Sequence, residues 1–195
     1  SSVAREAYGT WLYQQNDKKA ALELWLQMAN GADKTELLRI ARQLAQRNEH
    51  AAVITLLTSR LDSFDTDPNY LGQLIESSLA TKQFAETIPW LRRRAMISRT
   101  SAEMESTIAQ GTIVFRRLEQ PLAFLDALRA DVADGSGAIR ATGLGAACLL
   151  SELLELGGDS QAADQMLTGF EAGLSASPDA TSAVEVLGVQ RIRLW

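Results

Sequence analysis

The stretch LGAACLLSELLELGGDSQAADQMLTGF, residues 144–170, reads as two helices folded back on each other. Ala147, Leu150, Ser151 and Leu154 fall at i, i+3, i+4 and i+7, which places them in one stripe along a helix. Gly158-Asp159-Ser160 interrupts the pattern: glycine accepts the left-handed backbone that ends a helix, and aspartate accepts N–H bonds at the start of the next. Ala163, Leu167 and Phe170 then form a second stripe. Small residues at 151 and 163 let the two helices approach closely, and Phe170 is large enough to fill the space toward a neighbouring hairpin.

The same order recurs along the chain. Gly9, Leu12, Ala21, Trp25 and Met28 flank a turn at Gln15-Asn16-Asp17-Lys18. Leu37, Ile40, Ala41, Leu44, Val53 and Leu57 flank Asn48-Glu49-His50, and Leu71, Leu74, Ile75, Ser78, Thr87 and Leu91 flank Lys82-Gln83-Phe84. A fainter copy runs through Gly111, Val114, Ala123, Ala127 and Ala130. The first-helix anchors are residues 9, 41, 75, 111 and 151, spaced by 32, 34, 36 and 40. A repeat of this length is one supersecondary unit that buries its apolar face only against its neighbours. Pro68 and Pro178 stand where new helices should start, Pro121 opens a second helix, and Pro89 falls where it would kink one. No sustained period-2 alternation marks a strand.

This pattern resembles the tetratricopeptide repeat family over nearly the whole chain. The resemblance implies an all-α, right-handed α-α superhelix of about five hairpins plus a terminal helix. It divides residues 1–195, read as a single array, into repeats at about 2–33, 34–66, 67–100, 101–135 and 136–177, with a capping or partial repeat at 178–195. Repeat four departs from the family, offering Thr107 and Gln110 where apolar residues belong. Asp134-Gly135-Ser136-Gly137 reads as a linker. Val184, Leu187, Ile192, Leu194 and Trp195 make the last segment unusually apolar for a cap. We therefore expect either that the natural chain continues or that two copies associate through this helix.

Composition narrows the function classes. Apolar residues at 46% suffice for a continuous core, and no run approaches the roughly 18–20 apolar residues of a membrane span. Ser1-Ser2-Val3-Ala4-Arg5-Glu6 is not a signal peptide, and the chain starts inside a helical pattern, as expected of a piece of a longer protein. Residues 1–120 carry net +1 and residues 121–195 net −6, a distribution that argues against nucleic acid as a partner. Cys148 is the lone cysteine, so no internal disulfide forms, and bacterial periplasm and cytoplasm both fit. In its apolar surroundings it reads as a small buried hydrophobe.

Catalytic chemistry finds no constellation. His50 sits in a turn with no serine, cysteine or second histidine placed to work with it. Glu103 with Glu105, and Glu152 with Glu155, are carboxylate pairs that, without an aromatic-lined pocket or sugar-binding pattern, a solvated helix face explains far better than acid–base work does. Gly143-x-Gly145 lacks the rest of any phosphate loop. We expect no enzyme, no metal and no cofactor.

Binding is the expected activity. In the resembled family, ligands lie in a concave groove lined by the first helix of each hairpin. Carried over position by position, that groove presents Tyr13, Leu38, Arg42, Gln46, Glu76, Phe115, Arg116 and Glu152, with Glu6, Thr10, Leu79, Thr112 and Glu155 beside them. The lysine and asparagine clamp of chaperone-binding members is missing. The mixed lining suits a peptide segment or helix of another protein. Arg92, Arg93, Arg94 and Arg99 form a second candidate, an outer basic patch, although three adjacent arginines on a helix point three ways. The resemblance also suggests a bacterial envelope or exopolysaccharide export assembly. The alternative is a polysaccharide- or small-ligand-binding solenoid.

Overall fold

The computed structural model describes residues 2–133 and 143–174, and every regular element among them is helical. In chain order these are α1 (Ser2–Gln14), α2 (Lys18–Ala29), α3 (Lys34–Gln46), α4 (His50–Thr58), the single turn α5 (Leu61–Phe64), α6 (Pro68–Ala80), α7 (Phe84–Ile97), α8 (Ser101–Phe115), α9 (Pro121–Val132), α10 (Leu144–Leu156) and α11 (Ser160–Leu174). The ten helices of the five expected hairpins are present, but only four of the hairpins pack as pairs, since α8 and α9 do not pack on each other, and α5 is an element the repeat pattern does not foresee. The linker at 134–137 and the segment 178–195, with its expected cap and self-association, lie outside the described residues.

Four of the five turns between paired helices close with the same two hydrogen bonds. Asn16, Asn48, Lys82 and Gly158 take φ of 66°, 62°, 62° and 83°. Their N–H groups donate to Tyr13, Ala45, Leu79 and Glu155 carbonyls at 2.9–3.1 Å. The next residue in each, Asp17, Glu49, Gln83 or Asp159, donates to Leu12, Leu44, Ser78 or Leu154 at 2.9–3.0 Å. This is the Schellman closure, in which a left-handed residue satisfies the last carbonyls of a helix. Asp17 and Asp159 also cap the following helix, accepting from Ala20 N at 3.2 Å and Ala162 N at 3.0 Å. The α8–α9 turn lacks the device, as the weak fourth repeat anticipates.

The chain divides into two compact units, Ser1–Asp65 and Thr66–Trp195. In the first, Trp25 is fully buried against α1, where a Cβ at Gly9 would stand 2.5 Å from its Nε1. The Arg47 guanidinium lies 4.9 Å from the Trp25 ring. Ala21, Leu37, Ile40, Ala41, Leu44, Val53 and Leu57 complete this core.

The second unit is built around α10. Ten of its 13 residues are buried, the pattern of a helix surrounded on all sides, and it packs on α7, α8, α9 and α11. Two glycines permit this. A Cβ at Gly145 would lie 2.5 Å from the Ala95 carbonyl oxygen of α7, and one at Gly111 would collide with Leu149 of α10. The small residue at 111 was expected to admit its own hairpin partner; it admits α10 instead, and α9 packs chiefly on α10 and α7.

Trp25, Leu57, Leu91, Leu154, Leu167 and Phe170, the large residues of the repeat stripes, are all buried. Ala163 is fully buried on α11. Ala163→Leu should therefore overpack the α10–α11 contact and cost on the order of 1–3 kcal/mol, read as a lowered melting temperature. An unchanged melting temperature would mean that the helix faces some other way.

Candidate functional site

In the first unit the expected groove residues fall into two sets. Tyr13 is half-buried: its hydroxyl donates to Glu49 Oε1 at 2.9 Å and to the Arg47 carbonyl at 3.3 Å, and its ring centroid lies 5.8 Å from that of Trp25. Leu38 is 7% exposed and belongs to the core. Glu6 pairs with Arg39 and accepts from Gln43 Nε2, and Thr10 accepts from Arg47 Nη2 at 3.4 Å. These side chains join α1 to α3. Arg42 and Gln46, one turn apart on α3, are exposed and have no side-chain partner among the described residues.

In the second unit Glu76 on α6 and Arg116 just after α8 are likewise exposed without a side-chain partner. Phe115 and Glu152 are half-buried. Four of the eight expected residues thus present uncommitted polar groups, while Tyr13 and Leu38 serve structure.

The outer basic patch does not survive as drawn. Arg92 forms a two-point pair with Asp131 of α9, both contacts at 2.7 Å, which raises its pKa further. Arg94 is 4% exposed and lies inside the unit. Counting along the core stripe from Leu91 explains why: Arg94, Ala95 and Ser98 follow at i+3, i+4 and i+7, the buried face of α7. Only Arg93 and Arg99 of the four are exposed.

Arg94 also accounts for Gln110 in repeat four. Its Nη1 donates to Gln110 Oε1 at 2.6 Å, and Gln110 Nε2 donates to the Gly72 carbonyl at 3.2 Å. Thr107 is fully buried, donating to the Glu103 carbonyl at 2.7 Å and lying 3.2 Å from Ser98 Oγ. Glu103 closes a capping box with Thr100. Burial pushes the Glu103 carboxyl up, but hydrogen bonds from Arg99 and Thr100 outweigh it and hold the pKa below its ordinary value.

Two surfaces were not foreseen. Tyr8 and Trp11, 54% and 51% exposed, stack on α1 with ring centroids 5.8 Å apart. A cleft of about 580 Å³ opens where the α8–α9 turn departs from the Schellman form, floored by Phe84, Ile88, Leu118 and Phe124 and rimmed by Lys82 and Arg117.

Cys148 is buried, and His50 is the half-buried first residue of α4. Among the described residues no cluster of histidine, cysteine and carboxylate side chains could hold a metal, and no helix is long and apolar enough to cross a membrane. Compared with protein-family models, curated proteins and solved structures, the chain matches none.

Proposed function

We propose that this protein is a tetratricopeptide-like scaffold, its hairpins wound as a right-handed superhelix, that recruits another protein by binding a peptide segment or helix on the first helices of its repeats. The observation that carries this reading is the set Arg42, Gln46, Glu76 and Arg116. These are exposed polar groups on or just after first helices, and none has a side-chain partner among the described residues. Glu6, Thr10, Arg39 and Gln43 of α1 and α3, by contrast, are engaged in side-chain hydrogen bonds and ion pairs. Uncommitted charges of both signs, with half-buried Phe115 next to Arg116 in the chain, suit a peptide better than a uniformly charged polymer. Placement in a bacterial envelope or exopolysaccharide export assembly belongs to the same proposal and rests on the family resemblance.

The polysaccharide reading has one observation of its own, the exposed Tyr8–Trp11 stack, since stacked rings offer a flat apolar face to a sugar. Capture on the immobilised chain separates the two. Bound material from a lysate should be lost after protease treatment of that lysate. Material that survives proteolysis and is lost to glycosidases would favour the polymer.

A further inference from the structure

Four of the five hairpin turns reverse the chain through a left-handed residue, but the α8–α9 turn, residues 116–120, has no positive-φ residue. Without that reversal α9 leaves α8 and settles on α10 and α7. Between the start of α7 and the α8–α9 turn lies the cleft of about 580 Å³, a size within the roughly 300–1,000 Å³ of ordinary ligand pockets. Phe124 on its floor is 1% exposed, whereas Phe84, Ile88 and Leu118 are only half-buried, so the floor stays open as an apolar surface. The rim carries charge of both signs. Lys82 and Glu86 stand on the α7 side, and Arg117 and Glu119 on the turn side. All four are exposed, and none has a side-chain partner among the described residues.

We propose that this cleft is a protein-binding site distinct from the first-helix surface, taking an apolar anchor side chain of a partner's peptide segment flanked by an acidic and a basic residue. Each wall offers one cation and one carboxylate. A purely anionic or purely cationic occupant would meet as much repulsion as attraction there, and an uncharged apolar one would strip water from four charges without pairing them. A peptide that sets an apolar side chain between residues of opposite charge satisfies both the floor and the rim. Apolar anchors seated in pockets and ringed by polar contacts are where interfaces concentrate their affinity. The site is built from the second helices α7 and α9 and a turn, and it includes none of Arg42, Gln46, Glu76 and Arg116. It therefore goes beyond the first-helix reading, and the two can fail separately.

The test is an NMR titration of the full chain at constant ionic strength with four tripeptides, each N-acetylated and C-amidated. Glu-Trp-Lys and its reverse, Lys-Trp-Glu, carry anchor and charges; Glu-Gly-Lys lacks the anchor, and Gln-Trp-Gln lacks the charges. At least one of the first two should give saturable shifts at the Ile88 and Leu118 methyl groups and the Ala123 amide. The glycine peptide should give none, and the uncharged one should bind about threefold more weakly or worse. Ala123 and Ala85 line the cleft from α9 and α7 and are exposed, so a larger side chain at either fills it without entering the core. Ala123→Phe, or Ala85→Phe should the first not fold, is expected to weaken binding at least tenfold. Lys82→Asn with Arg117→Gln should weaken the charged peptide about threefold or more and leave the uncharged one unchanged; asparagine is chosen because residue 82 has φ of 62°. Silence from both charged anchor peptides, equal affinity for the uncharged or the glycine peptide, or undiminished binding in a folded variant would overturn the proposal. So would shifts at these residues on raising the protein concentration alone, which would make a second copy the occupant.

Discussion

Gly145→Ala should destabilise the second unit by about 3 kcal/mol or more, although alanine is the better helix former. By propensity alone, replacing a glycine inside a helix gains at most about 0.5–1 kcal/mol, and less at the second residue of α10, where Gly145 stands. Here the new methyl would meet the Ala95 carbonyl oxygen at 2.5 Å and Ser98 Cβ at 3.1 Å. A backbone carbonyl cannot rotate away as a side chain can. Either α10 moves off α7, opening a core whose contacts α10 shares with four helices, or α7 distorts. Gly157→Ala is the matching control. Gly157 is exposed with φ of −78°, and an added Cβ there meets nothing closer than 3.4 Å, so that substitution should be neutral or stabilising by a few tenths of a kcal/mol. Denaturant unfolding of both variants gives the comparison. If Gly145→Ala is as stable as Gly157→Ala, the two helices do not cross there.

The sequence made the hairpins legible because their turns are local. Asn16-Asp17 and Gly158-Asp159 combine a left-handed helix end with a cap in two residues, and the same bonds recur where Lys82 is less suggestive. The all-round burial of α10 was visible as the apolar run through Leu144–Leu156, yet the helices that surround it were not. Periodicity reports a buried face and not the neighbour that covers it. That is why Gly111 was matched to α9 when Leu149 of α10 fills the space.

The site was legible in part for a related reason. Arg42, Gln46, Glu76 and Arg116 sit at outward positions of first helices, and those positions are exposed. Tyr13's tie into the fold was not legible because its partners, Arg47 and Glu49, lie more than 30 residues away. Arg94 looked like one of three surface arginines. What marks it is Leu91 three residues earlier on the same stripe, together with Gln110 at a core position of the following helix. Polar residues that appear to spoil a repeat can be the solvation shell of a buried charge from the repeat before it.

The central claim is that the uncommitted first-helix charges hold a partner protein, and charge reversal at Arg42 and Arg116 tests it most directly. Both side chains are exposed and make no side-chain contact that the fold depends on, so Arg42→Glu with Arg116→Glu should leave stability within about 0.5 kcal/mol per site. Binding is another matter. Each substitution removes an attraction and adds a like-charge or unpaired contact, and two such changes together should weaken the partner complex by about 100-fold or more. The measurement is calorimetric titration of the captured partner into the wild-type and doubly substituted chains, with circular dichroism on both. Helicity and melting temperature should be unchanged, with binding lost or at least 100-fold weaker. Undiminished affinity in a folded double variant would contradict it and move the partner to another surface, with Arg93 and Arg99 the next to test.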